Sequence, residues 1–163
     1  MAVYFRDPRP SLSLAVSRKV MPHVLKRLYR DVVLEHSKRP RHRETLPDAD
    51  RVGEVHNPLC GDRVKVMLRL SEDGRVASAH FTGDGCAIST ASASVMCDCL
   101  GGTSLSEALE LASTFRASLA GAPVGALPKA LAALTAVAAF PARIRCAALP
   151  WEALERASGE LVE

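Results

Sequence analysis

A chain of 163 residues with 48% hydrophobic content can bury one ordinary core, so one domain is expected. Only 4% of the residues are aromatic, and an interior drawn from Ala, Val and Leu suits small-residue helix packing better than an aromatic-rich sandwich. The net charge of +3 is too mild to demand a nucleic-acid partner, and the early apolar stretch around LSLAV is too short for a secretory leader or a membrane span.

Residues 1–21 carry Pro8, Pro10 and scattered serines and read as a flexible N-terminal arm. Met21 stands as an alternative start, with Pro22 opening the first helix. From Pro22 to Ser37 the residues Val24, Leu25, Leu28, Val32 and Leu34 recur at helical spacing, and the helix is expected to end before Pro40. Basic residues outnumber acids from Arg18 to Arg43, ending in SKRPRHRE. Segment 38–43 reads either as a solvated basic loop or as a docking surface for an acidic partner. No aromatic side chains are interleaved there, as a nucleic-acid stacking platform would require.

RVGEVH (51–56) is expected as a short strand. Val64, Val66, Leu68 and Leu70 alternate with polar or long side chains, which predicts a strand with one buried face. SEDG (71–74) makes the turn, and Val76 to Thr82 returns as the second arm of a hairpin. GDG (83–85) breaks that strand, and a helix follows from Cys86 to Leu100, closed by Gly101-Gly102. Ser104 and Glu107 form a capping box for a helix reaching about Ala120. Pro128 begins an Ala- and Leu-rich helix that runs to Phe140, where Pro141 stops it. A short turn or helix then carries Cys146, and Pro150-Trp151 opens the last helix. Strands early and helices late predict an α+β domain over 22–158, with a small antiparallel sheet packed against several helices and a tail at 159–163.

Five cysteines are an odd number. In a cytoplasmic protein they stay reduced, and there they serve more often as metal ligands or nucleophiles than as disulfide partners. In HNPLCGDRV (56–64), Cys60 and Asp62 are two apart, so an extended backbone sends both side chains to one side, and Gly61 permits a tight turn. Cys86 follows GDG at a strand-to-helix corner, where the positive end of a helix dipole favours thiolate. Cys146 lies at another element boundary. Three thiols and a carboxylate at such junctions can converge into a tetrahedral site of the kind Zn²⁺ accepts. Spacing alone leaves a second reading open, that these are small buried hydrophobes.

Other candidates are weaker. Cys97 and Cys99 lie about 200° apart on a helix and cannot both face one ion, so they read as core or incidental thiols. His56 is close enough in sequence to reach a metal at Cys60, but a strand-edge histidine is the simpler reading. His23, His36, His42 and His80 read as surface or packing residues. Asp84 is either an acceptor behind the ligands or a turn former.

The segments LYRDVVLEHSKRPRH, HNPLCGDRV, FTGDGCAISTASASVM and FPARIRCAALPWEAL, in this order, closely resemble the SufU branch of the IscU/NifU-like iron–sulfur assembly proteins. The resemblance covers about Leu28 to Leu154. It implies an α+β domain with a metal site at one end, in which Cys60, Asp62, Cys86 and Cys146 are the ligands and Cys60 is also the sulfur acceptor. IscU-like scaffolds carry a histidine just before the last ligand cysteine; here that position is Arg145, and guanidinium cannot replace a neutral imidazole. With the long segment 121–140, this is similar to members that transfer sulfur in a zinc-dependent way. The resemblance implies Zn²⁺ as cofactor, or an iron–sulfur cluster in the scaffold alternative. It also implies a SufS-like, pyridoxal-phosphate-dependent cysteine desulfurase as donor and a downstream cluster scaffold as recipient, with no nucleic acid and no membrane. Arg143 is expected to pair with Asp62 or another ligand and help open the site, or else to be a surface arginine. Three classes remain: sulfur acceptor, cluster scaffold on the same ligands, and a zinc-stabilised interaction module.

Overall fold

The computed structural model describes residues 12–159. A helix α1 (Leu12–Lys38) leads into three strands, β1 (Arg51–His56), β2 (Arg63–Leu70) and β3 (Val76–Asp84). Helices α2 (Ala87–Leu100), α3 (Leu105–Leu119) and α4 (Lys129–Leu134) follow, then a 3-10 turn (Thr135–Ala139) and α5 (Pro141–Ala157). The strands form one antiparallel sheet in the order β1-β2-β3, as the alternation predicts. This is the α+β architecture read from the sequence.

The register explains which face is covered. Gly53 pairs with Val66, Val55 with Val64, Val66 with Phe81 and Leu68 with Ala79, so these residues share the face that meets the helices. Helix α5 lies so close to β1 that a Cβ on Gly53 would stand 2.1 Å from the Ala153 carbonyl oxygen. The absent side chain at Gly53 is what admits the helix. Helix α2 runs through the middle of the molecule, and Ser89 to Cys97 are all buried, which its Ala and Ser content permits.

The capping box at Ser104 and Glu107 is formed in both directions, as expected. The loop after α1 lies along the outer edge of the sheet. Phe81 donates its N–H to the His42 carbonyl, and the Arg43 guanidinium donates to the Gly83 carbonyl. Arg41 and His42 both pair with Asp98 of α2. Arg41, His42 and Arg43 therefore anchor the loop, and these three stay exposed along with Lys38 and Arg39.

Three expectations are corrected. Helix α1 begins at Leu12 rather than Pro22, so it takes in residues 12–21. An internal proline removes one backbone hydrogen bond, and the flanking turns carry the helix across it. The inward side of α1 is also shifted: Tyr29, Val32 and Val33 pack on the core, whereas Val24 and Leu34 are exposed. Finally, Pro141 starts a helix instead of ending one, and α5 runs unbroken through Pro150. Residues 1–11 of the expected arm and 160–163 of the tail lie outside the described residues.

Candidate metal centre

The loop from Asn57 to Asp62 is closed by its own backbone. Asn57 N–H donates to the Asp62 carbonyl and Gly61 N–H to the Asn57 carbonyl, both at 2.8 Å. The buried Asn57 side chain accepts from Leu59 N–H at 3.1 Å. Gly61 takes φ 75°, a left-handed conformation that a residue with Cβ adopts at a cost. The result is a tight protrusion with Leu59 and Cys60 exposed and Asp62 turned inward, only 6% exposed.

Cys86 caps α2. Its sulfur accepts the Ser89 N–H at 3.5 Å, so the thiol sits at the positive end of the helix, as the GDG corner predicts. Gly85 leaves the room for this corner: a Cβ there would lie 2.2 Å from Ser89 Oγ and 3.7 Å from Asp62 Cγ. Cys146 comes from the second turn of α5 and is buried. Burial first, then the neighbouring Cys86, push its thiol pKa up to about 12. Asp62 and Cys60 push in the same direction.

The ligand atoms of Cys60, Asp62 and Cys146 lie within 4.8 Å of one another. Cys86 falls outside this trio and neighbours it through Cys146. Asp62 Oδ2 is buried with no hydrogen-bond partner among the described residues. A carboxylate oxygen taken from water without a partner is costly, and a cation bound by the neighbouring sulfurs would satisfy it. Three thiols and one carboxylate are a donor set that fits Zn²⁺.

The other candidates fall elsewhere. Cys97 faces the core, where burial raises its pKa, and the Cys99 thiol is pushed up to about 11, chiefly by burial. His56 and His23 are exposed, as is Asp84 at the end of β3. His80 Nδ1 lies 3.3 Å from Glu44 Oε1 and edge-on to His42, and buried His36 has its Nδ1 2.7 Å from Ser94 Oγ. Arg145 lines a shallow groove with Arg116, Ile144 and Glu152. Arg143 is exposed, and its expected pair with Asp62 is not formed. Arg143 instead acts on Tyr29, whose phenol pKa is raised by burial, lowered by Arg143 and raised again by Cys86 and Cys146. Tyr29 stacks on Phe140 with ring centroids 6.4 Å apart, at one end of an apolar groove of about 650 Å³. Sequence reasoning missed Tyr29, because nothing in a helical LYRD marks a phenol as a neighbour of distant thiols.

The family model for the NifU-like N terminal domain matches residues 28–158, most of the chain. The chain belongs to this family. Within it, the NifU-like domain is 40% identical over 131 residues to the zinc-dependent sulfurtransferase SufU of Bacillus subtilis (strain 168), covering 79% of this chain and 88% of that protein. It is 42% identical over 135 residues to the iron–sulfur cluster assembly scaffold protein IscU of Streptococcus pyogenes serotype M1, covering 82% and 84%. Its fold is similar to the crystal structure of a proposed iron–sulfur cluster assembly scaffold for the SUF system from Fervidobacterium islandicum AW-1. There the TM-score is 0.73 at 28% identity, over 81% of this chain and 97% of that one. Among the described residues of the NifU-like domain, no helix is long and apolar enough to cross a membrane.

Proposed function

We propose that this NifU-like domain is a zinc-dependent sulfurtransferase that accepts persulfide sulfur on Cys60 and passes it on for iron–sulfur cluster biogenesis. One observation carries the reading: the four expected ligands are unequally accessible. Cys60 is exposed on a protruding loop, Cys86 is half-buried, and Asp62 and Cys146 are buried. A partner can reach one ligand while the other three stay in place.

Zn²⁺ bound by Cys60, Asp62, Cys86 and Cys146 would keep the thiols deprotonated and shielded from oxidation. The donor is a persulfide on a SufS-like, pyridoxal-phosphate-dependent cysteine desulfurase. Cys60 Sγ, as thiolate, attacks the outer sulfur of that persulfide. The donor's S–S bond breaks, its electron pair leaves with the donor cysteine as thiolate, and a new S–S bond stands on Cys60. The rate follows thiolate character, access and leaving group, as in thiol–disulfide exchange. The exposed Arg143 offers a cation to the anionic donor sulfur, and a cluster scaffold takes the sulfur next.

The second reading is a scaffold holding a labile cluster on the same ligands, and the similarity to the Streptococcus pyogenes protein favours it. Against it stands Arg145, which lies in the groove with Arg116 and Glu152 and adds no imidazole to the sulfurs. The test is Cys60→Asp incubated with desulfurase and cysteine. Aspartate is a legitimate zinc donor, so zinc should remain, but no sulfur adduct should appear in the intact mass. An adduct of normal yield, mapped to Cys97, Cys99 or another thiol, would remove Cys60 from the role. Visible absorption and iron in protein purified without oxygen, in place of tight zinc, would favour the scaffold.

A further inference from the structure

Helix α5 carries Cys146 and, four residues later, Pro150. Proline has no N–H, so the Cys146 carbonyl has no donor at the position where the helix would supply one. The break in the ladder falls on the ligand itself. One residue on, the Ala147 carbonyl accepts a bond from outside the helix: Ser92 Oγ of α2 donates to it at 2.6 Å. The same Ser92 Oγ accepts from Trp151 Nε1 at 3.2 Å. Ser92, Ala147 and Trp151 are all fully buried. The hydroxyl thus uses both its donor and its acceptor capacity, in a site where water cannot substitute for either partner.

This lateral bond joins the two helices that bring thiols to the metal centre. Cys86 is the cap of α2 and Ser92 lies under two turns below it; Cys146 sits directly before the pinned peptide of α5. We infer that Ser92 is a positioning residue for the metal centre: it clamps the proline-weakened turn of α5 to α2 and so sets the separation of Cys86 from Cys146. The inference rests on the metal-site reading above. It differs from a general role in stability because the clamp acts at the one turn whose backbone bond is missing. Partners bonded directly to a metal ligand commonly change affinity by about 10- to 100-fold when lost, and Ser92, one residue removed from Cys146, belongs at the low end.

Ser94 provides the matched control. It is a buried serine on the same helix, but its hydroxyl serves His36 and the Arg41 N–H on the α1 side. Ser92→Ala and Ser94→Ala each delete one buried hydroxyl, and both should fold with a lowered melting temperature. Zinc affinity is then measured by chelator competition, and site geometry by the sulfur-to-metal charge-transfer spectrum of the Co²⁺-loaded protein. Ser92→Ala should lose about 10-fold in zinc affinity and show a shifted, broadened Co²⁺ spectrum. Ser94→Ala should match the unaltered protein in both. Equal effects of the two variants, or an unchanged affinity and spectrum in Ser92→Ala, would overturn the clamp. Cys146→Ser separates the two layers of the argument. If it keeps full metal, the site itself is wrong; if it loses metal while Ser92→Ala does not, only the clamp fails.

Discussion

At the scale of the residue, similar side chains in one chain differ by where their backbones place them. Cys60 is exposed and Cys146 buried beside a carboxylate, while Cys97 faces a hydrophobic core. Cys86→Ser and Cys146→Ser should therefore strip the metal and lower the melting temperature, because a site that exists only in the folded state contributes its binding energy to folding. Cys97→Ser should lower stability by about 1–2 kcal/mol by burying a hydroxyl in an apolar site, yet leave metal content unchanged. Metal analysis alongside thermal unfolding separates these outcomes, and zinc loss in Cys97→Ser or Cys99→Ser would contradict the ligand set. Cys60, Asp62 and Cys86 were legible in the sequence because each stands next to a glycine at an element boundary. Cys146 was legible only in part. It lies inside a helix, and its exposure and its partners are decided by α2, more than forty positions away.

At the scale of the element, alternation made the strands readable, and glycine and serine marked the ends of α2 and α3. Helix α5 was not readable as one piece, since a proline inside a helix reads as a stop and the turn before Pro150 is held from outside by Ser92 on α2. The face of α1 was misread for a similar reason: Tyr29 and His36 turn inward toward partners that periodicity cannot see. The contact between β1 and α5 yields a sharp expectation. A Cβ at residue 53 would collide with backbone atoms, at 2.1 Å from Ala153 O and 2.4 Å from Ala157 N, where no rotamer can relieve it. Gly53→Ala should cost about 3 kcal/mol or more. It should also weaken zinc retention, because α5 must move and carries Cys146 with it. Denaturant titration with and without zinc measures both, and a change under about 0.5 kcal/mol would show that the helix yields freely.

At the scale of the molecule, stability should respond to acid through His36. Burial lowers its pKa from the ordinary 6.5, with Arg41 adding to the effect and Asp98 and Glu35 opposing it. Ser94 Oγ accepts the Arg41 N–H and also lies 2.7 Å from His36 Nδ1, so the imidazole is tied into a buried polar pair with α2. The sign follows from linkage. Below the unfolded value the open chain binds a proton that the folded chain refuses, so the contribution is complete above about pH 6.5 and declines as pH falls toward the folded pKa. Zinc-free protein should show a melting temperature that falls between about pH 7 and pH 5, and His36→Gln should flatten that slope. An equal slope in both would assign the acid sensitivity to other groups. The α+β class was readable from element order alone; which buried histidine governs the acid response was not, since that depends on a serine fifty-eight positions away.

Trp151, the single tryptophan, is buried on α5 with its ring 5.3 Å from Phe115. The helix that carries Cys146 is also the last one among the described residues, and it covers β1, the first strand. Assembly order follows from this. A chain emerging from the ribosome presents Cys60, Asp62 and Cys86 early, but Cys146, the proposed fourth ligand, joins them only when α5 docks. Under the proposed function, metal capture thus waits for α5 to dock. In refolding from denaturant, tryptophan fluorescence should change before or together with zinc uptake followed by an indicator dye. Tight zinc uptake that precedes burial of Trp151 would mean that the thiols gather without α5.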